Sequence, residues 1–578
     1  MTQDQSRHAP LLCLLTALVL CLVVAPTSGA ATDASQTPGA GRSTGSLAVD
    51  SEGTLRPDGG DSTAAAGAVV PSRDGLPTGG LKWIDWLIIV MYAAATIGLG
   101  WYFSRRQKTT QEYFIGSGRM SPWLIGTSLF ATLLSTITYL SRPGEMIGKG
   151  PAAMATLVSL PLAYLIVANL LIPVYMRHRV TSAYELLESR LGVGIRVLGA
   201  AMFLVLRLVW MSLLVYLAAK AMTVMIGVDA KWIPLIVLVT GFVAVIYTSL
   251  GGLQAVVMTD LLQSLLLLGG AVLVLVTVSV ELGGFGWFPT SWQPNWDRQP
   301  LFSIDPKVRL TIVGTIVMQL TWNVCTAGGD QTAVQRFMAT GDAASARRAY
   351  LIQLVWSGMV TVTLSIVGLA LLGYFQTRAD VLHAGMSLTE NADDIFPHYI
   401  AYHLPPGVSG LVVAAMFAAA MSSIDSGVNS ITAVLMTDFL ERFGMRPRTR
   451  RGHVRVAKLM AFSVGAIVVV GSSFMEHVPG NITAVTAKTN NLLVTPIFAL
   501  FFFALFVPFA TPVGVLIGAI AGTATASLIA FSGPIFGMNP VTGGDPVSFQ
   551  WIGPASLLVN LAVGSLASLL LPRGRRET

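Results

Sequence analysis

At 578 residues, 53% hydrophobic and only 11% charged, the chain carries about half the charged fraction of a soluble globular protein. Its net charge of +7 falls in short segments between apolar runs, which fits orientation in a bilayer better than binding to nucleic acid. Cys13, Cys21 and Cys325 build neither a disulfide framework nor a thiolate metal site.

The N-terminus reads as a targeting segment. Arg7 and His8 precede the apolar run Leu11 to Val24, followed by Pro26 and the small residues Ser28, Gly29 and Ala30. That layout predicts a signal peptide over 1–30; an uncleaved extra helix is the other reading. Residues 31–80, rich in Gly, Ser, Thr, Ala and Asp, are expected to form a disordered external linker.

From Trp83 onward, runs of bilayer length predict an all-α polytopic membrane domain over 81–572 with about thirteen spans. They fall near 83–103, 121–146, 152–175, 194–225, 231–249, 255–281, 309–329, 351–373, 408–436, 459–475, 481–507, 512–533 and 551–571. Arg105, Arg106 and Lys108 follow the first span, so its far end is expected to be cytoplasmic and the N-terminus outside. Alternation places Arg177/Arg179/Arg190, Arg336/Arg347/Arg348 and the run Arg442 to Lys458 on the same side, with a cytoplasmic tail at 573–578. The opposite loops near 282–308 and 374–407 contain few bases but several Trp, Asp, Pro and His.

Two spans look interrupted. One meets Ser135, Thr136, Thr138 and Ser141, then Arg142-Pro143-Gly144-Glu145; the other meets Gln319, Thr321, Asn323, Thr326 and Gly328-Gly329. Each opens a block of five spans, 121–281 and 309–507. Discontinuous helices in matching positions point to a five-plus-five inverted-repeat transporter with its site at mid-membrane. Unwound backbone is tolerated there only where it lines a cavity.

The stretch Ala414 to Ser430 is apolar, yet it stacks Ser422, Ser423, Asp425, Ser426 and Ser430. Polar groups at bilayer depth usually face a cavity or an ion, and a hard monovalent cation wants several oxygens. Close packing of small residues is the alternative account of the serines.

The motifs EYFIGSGRMSPWLIGTSLFATLLS, VTSAYELLESRLG, YTSLGGLQAVVMTDLLQ, QTAVQRFMATGDAASARRAY and the Ser-rich helix occur in that order. In this the chain resembles the sodium:solute symporter family over about residues 83 to 510. The resemblance implies alternating access driven by sodium. It places a sodium site at the backbone carbonyls of Ala131, Leu134 and Ala419 and the hydroxyls of Ser422 and Ser423. Some family members hold a second sodium, here implicating Asp260 with Asp425 and Ser426; capping or hydration of Asp260 is the other reading.

For the solute, Thr138, Asn323, Thr326 and Asn490 are candidate contacts. Thr138 and Thr326 stand where sugar carriers of the family have Gln and Tyr, so a glucose-type pocket is not expected. Their pocket lysine falls near Val355 or Trp356. LLSTITYLSRPGE looks closer to the iodide, vitamin and monocarboxylate branch. Arg142 either attracts an anion or snorkels to the external face. Arg207 is either a partner of the substrate's carboxylate or part of a structural ion pair.

The expected function is import of a small polar solute by a multi-pass, plasma-membrane sodium symporter, monomeric or weakly oligomeric. Its partners are sodium, solute and lipid, with no cofactor beyond the coupling ion and no nucleic acid. The alternatives are a sugar symporter of the same fold and a transporter-like sensor without transport. Neither H-E-x-x-H nor G-x-x-x-x-G-K-[ST] occurs, which argues against an enzyme or an ATP-driven pump.

Overall fold

The computed structural model describes residues 80–571, apart from 106–112, 115–117, 179, 181, 299, 384, 446–448, 476–481 and 539–544. The expected signal peptide, nearly all of the linker and the C-terminal tail lie outside the described residues.

Among the described residues every regular element is a helix. Its elements are α1 (Trp83–Ser104), the pair α2 (Pro122–Leu133) and α3 (Thr136–Gly148), α4 (Pro151–His178), α5 (Val193–Ile226), α6 (Ala230–Ile246) and α7 (Gly251–Glu281). There follow α8 (Ile312–Gly329), α9 (Gln331–Met338), α10 (Ala343–Thr377), α11 (Ala392–Tyr402), α12 (Val408–Leu440), α13 (Arg450–Ser472), α14 (Ile482–Phe506), α15 (Pro512–Ala530) and α16 (Ile552–Leu570). Ten described helices are long and apolar enough to cross a membrane, or eleven with the bent pair α2–α3. The other two expected spans correspond to α6, which is shorter, and to α8, whose run of Gln, Thr and Asn makes it more polar.

The first expected interruption is present: α2 and α3 are bent by 65°. The chain turns extended at Leu134 (φ −82°, ψ 127°) and Ser135 (φ −117°, ψ 163°), so carbonyls of the last turn of α2 are released from helical bonding. The second lies elsewhere than the sequence indicates. Gln319 to Gly329 stay in the continuous helix α8, and the break comes at Asp330 (φ −92°, ψ 120°), before α9. Polar side chains alone did not unwind this helix; Asp330 stops it by capping α9, accepting from Thr332 N–H at 2.8 Å. A broken helix followed by four further helices thus occurs twice, α2 to α7 and α8 to α14 with α11 inserted.

α12 is the centre of the bundle, with 89% of its most apolar window buried against 17% for α1. α7, α5, α1, α13 and α2 surround it. Asp85, a buried acid in α1, caps the start of α12 by accepting from Gly407 and Gly410 N–H at 2.7 and 2.8 Å. α6 and α7 join at Gly252, whose φ of 59° and ψ of −172° suit only glycine.

Candidate functional site

The polar stretch of α12 meets the break of α2–α3. Ser423 Oγ donates to the carbonyls of Thr132 and Leu134 at 3.1 and 3.2 Å, with all three residues buried. Ala131 is buried in the last turn of α2, and Ala419 lies one helical turn before Ser423 on α12. The expected Leu134 carbonyl and Ser423 hydroxyl are therefore brought together. The Thr132 carbonyl joins them, a position that the sequence does not mark.

Ser422 points elsewhere. Its hydroxyl donates to Asp260 Oδ1 at 2.5 Å, toward the acidic position rather than the carbonyls that Ser423 reaches. Asp260 Oδ2 accepts from Ser128 Oγ of α2 at 2.5 Å. Ser426 Oγ lies 2.7 Å from Thr132 Oγ1 and 3.4 Å from Asp425 Oδ1. Asp260 of α7 and Asp425 and Ser426 of α12 are all buried, with Asp425 beside Ser426 and Asp260 joined to α12 through Ser422.

One residue in this cluster has a different role from the one its sequence context suggests. Arg336, which reads as one of the basic residues orienting the spans, is fully buried in α9. Its Nε donates to Ser128 Oγ at 3.0 Å and its Nη2 to Ser426 Oγ at 2.5 Å, and Nη2 lies 3.5 Å from Asp260 Oδ2. The pattern Ser128/Thr132 and Ser422/Ser426, each at i, i+4, was the legible trace of two facing polar stripes. The arginine completing them sits in a short helix whose eight residues are all buried. Gln335 beside it donates to Asn429 Oδ1 at 2.9 Å and accepts from Ser430 Oγ at 2.8 Å, fastening α9 to α12.

The solute candidates divide. Asn323 and Thr326 line a cavity of about 10 Å³ with Leu129, Leu133, Tyr350 and Gln353, room for a single water. Thr326 Oγ1, Tyr350 OH and Gln353 Oε1 have no hydrogen-bond partner among the described residues. Thr138 and Asn490 do not line this cavity. Thr138 is half-buried at the start of α3, where its N–H is accepted by Ser135 Oγ at 3.4 Å; Asn490 is half-buried in α14. Trp356 is buried and stacks on Phe130 with ring centroids 5.5 Å apart, whereas Val355 is 53% exposed and faces outward.

The two arginines left open by the sequence are placed. Arg207 pairs with Asp330, both buried, so it is engaged in an ion pair that holds the α8–α9 break. Arg142 is half-buried on α3 and reaches the start of α4. Its Nη1 donates to the Ala153 carbonyl of α4 at 3.1 Å, and no carboxylate lies within ion-pairing distance among the described residues.

A profile of the sodium:solute symporter family matches residues 113–522. The sodium/sialic acid symporter SiaT of Proteus mirabilis (strain HI4320) is 31% identical over 403 residues, 66% of this chain and 76% of that protein. The sodium-coupled monocarboxylate transporter 1 of Xenopus laevis is 26% identical over 79% of this chain and 73% of its own. A solved structure of a Na+-coupled sialic acid symporter, substrate-bound and outward-open, aligns with a TM-score of 0.74 at 26% identity. That alignment covers 86% of this chain and 99% of the other.

Proposed function

The chain belongs to the sodium:solute symporter family, and on that premise we propose that it imports a small organic anion with sodium held between Leu134 and Ser423. It is a multi-pass membrane transporter that couples sodium to a small solute, not an enzyme. The observation that carries the ion position is the Ser423 hydroxyl spanning two carbonyls of the broken helix. Sodium replaces that hydroxyl proton as the positive partner of the same oxygens, with Ala131 and Ala419 carbonyls and Ser422 completing the set.

The anion reading rests on Arg142. A guanidinium with one carbonyl partner and no ion-paired carboxylate, in the outer half of the broken helix, is suited to a carboxylate arriving from outside. Relatives named for sialic acid and for monocarboxylates agree with that chemistry. Asn323 and Thr326, which share a cavity, are the short polar groups assigned to the rest of the solute, with Thr138 and Asn490 as further candidates outside that cavity.

Charge then bears on stoichiometry. One sodium moving with a neutral solute gains about 2.3 kcal/mol from 100 mV and about 1.4 kcal/mol from a tenfold gradient. One sodium with a monoanion is electroneutral and keeps only the gradient contribution, about tenfold accumulation. A second sodium, at Asp260 with Asp425 and Ser426, restores the voltage contribution.

Uptake into proteoliposomes under an inward sodium gradient tests this, with labelled pyruvate, sialic acid and glucose as the panel. Sodium-dependent uptake of an acid is expected. Sodium-dependent glucose uptake with both acids excluded would overturn the anion reading.

A further inference from the structure

Asp260 carries a charge partner of the protein's own. A carboxylate with no exposure to water is stable only when paired and hydrogen-bonded. Ser128 and Ser422 each donate to it at 2.5 Å, and the Arg336 guanidinium stands 3.5 Å away. Two hydroxyls that a cation would recruit, those of Ser128 and Ser426, already accept from Arg336 at 3.0 and 2.5 Å. A sodium ion at Asp260 would meet oxygens already claimed, beside a like charge.

We propose that Arg336 is a tethered cation that occupies the Asp260 position and must withdraw before sodium binds there. This rests on the reading of Asp260 as the second ion position. Arg336 joins α9 at once to α2, α7 and α12, through Ser128, Asp260 and Ser426. Its withdrawal therefore loosens α9 from the helices that carry both ions. α9 lies on the side that the basic clusters make cytoplasmic, so the second ion and the inner closure are mutually exclusive. Arrival of the second sodium becomes the event that unlatches the inner side.

The test is equilibrium binding of radioactive sodium to the purified full chain, together with hydrogen exchange over residues 331–338. In the native protein the second ion is expected to bind more weakly than the first, and raising sodium through that range should increase exchange in α9. Unchanged or reduced exchange while a second ion binds would overturn the inference without any variant. Arg336→Gln should let the second ion bind at about tenfold lower sodium, and adding Asp260→Asn should leave one ion bound. The double variant removes both partners of the buried pair and so leaves no orphaned charge. If Asp260→Asn abolishes the second ion but Arg336→Gln binds it no more tightly than the native protein, the site stands and the tethered cation is wrong. If Asp260→Asn leaves the ion count unchanged, the second-site reading fails and this inference fails with it.

Discussion

Ser422 Oγ donates to Asp260 Oδ1 at 2.5 Å, while the hydroxyl of the next residue, Ser423, reaches the Thr132 and Leu134 carbonyls at 3.1 and 3.2 Å. Two consecutive serines of one helix thus serve two different oxygen clusters. Any shift of α12 that tightens one cluster alters the other, which gives the proposed ion positions a mechanical connection through a single turn.

Replacing Ser423 by Ala removes the hydroxyl that spans the break. Hydrogen bonds and ligands to charged groups contribute about 1.5–3 kcal/mol each. The sodium concentration for half-maximal uptake should therefore rise about tenfold or more, with a smaller change in solute KM at saturating sodium. A sodium curve that superimposes on the native one would remove Ser423 from the site.

Ser422→Ala has a different signature. It leaves Asp260 Oδ1 without its serine and removes a proposed ligand of the first ion position. The Hill coefficient for sodium should fall toward one while half-saturation moves upward. An effect confined to half-saturation, with the Hill coefficient preserved, would mean that Ser422 serves only one cluster.

Much of this architecture was legible because membrane physics writes strong signals. Span-length apolar runs, the Ser-rich face of α12 and the polar interruption near Ser135 all correspond to elements of the fold. What escaped depends on tertiary placement. Arg336 sits in a basic-looking segment, and only the folding of α9 into the bundle turns it from an orienting charge into part of the cluster. The break at Asp330 escaped because the polar residues of α8 suggest unwinding, yet they remain helical. Thr132 contributes a backbone carbonyl, and no side-chain pattern announces that.

Arg207 and Asp330 form a buried pair at the second break, and Asp330 also caps α9. Arg207→Met would strand the carboxylate, and breaking one side of a buried pair costs about 3–5 kcal/mol. Thermal unfolding of the purified variant should show a large loss of stability, while solute KM of the surviving protein stays near native. A selective rise in KM with native thermal stability would instead make Arg207 a solute contact.

Arg142 gives the opposite pattern. Arg142→Gln loses the outer guanidinium without breaking an ion pair among the described residues. KM for an acidic solute should rise at least tenfold while thermal stability and the sodium curve change little. Arg142→Lys should recover part of the affinity, since the charge returns without the bidentate fork. Equal KM for all three proteins would end the carboxylate assignment.

The last prediction concerns external acid. His383, His398 and His403 cluster around α11, with His398 stacked on His403 at 5.4 Å between centroids and His383 Nδ1 hydrogen-bonded to His398 Nε2. Phe375 and Tyr374 of α10, Tyr399, Tyr402 and the nearby Arg378–Glu281 pair face them. Burial first, then the neighbouring His383 and His403, pushes His398 down to about 3, and burial with His383 and Arg378 also lowers His403. The packed state therefore binds fewer protons than an opened one, whose histidines titrate at about 6.5. Stability from this cluster is complete above about pH 6.5 and is lost as pH falls from there toward 3. At pH 5 the loss reaches roughly 2 kcal/mol for one histidine, from about 1.4 kcal/mol per unit. α11 packs directly on α3, where Asp393 Cα would lie 2.9 Å from a Cβ at Gly144, so its loosening reaches the outer half of the broken helix. Hydrogen exchange across 385–403 should rise between external pH 7.5 and 5, and uptake should fall over the same interval. His398→Phe keeps an aromatic ring in the stack but cannot take up a proton, so it should flatten both responses. Identical pH profiles for the native and variant proteins would show that the cluster does not govern the response to acid.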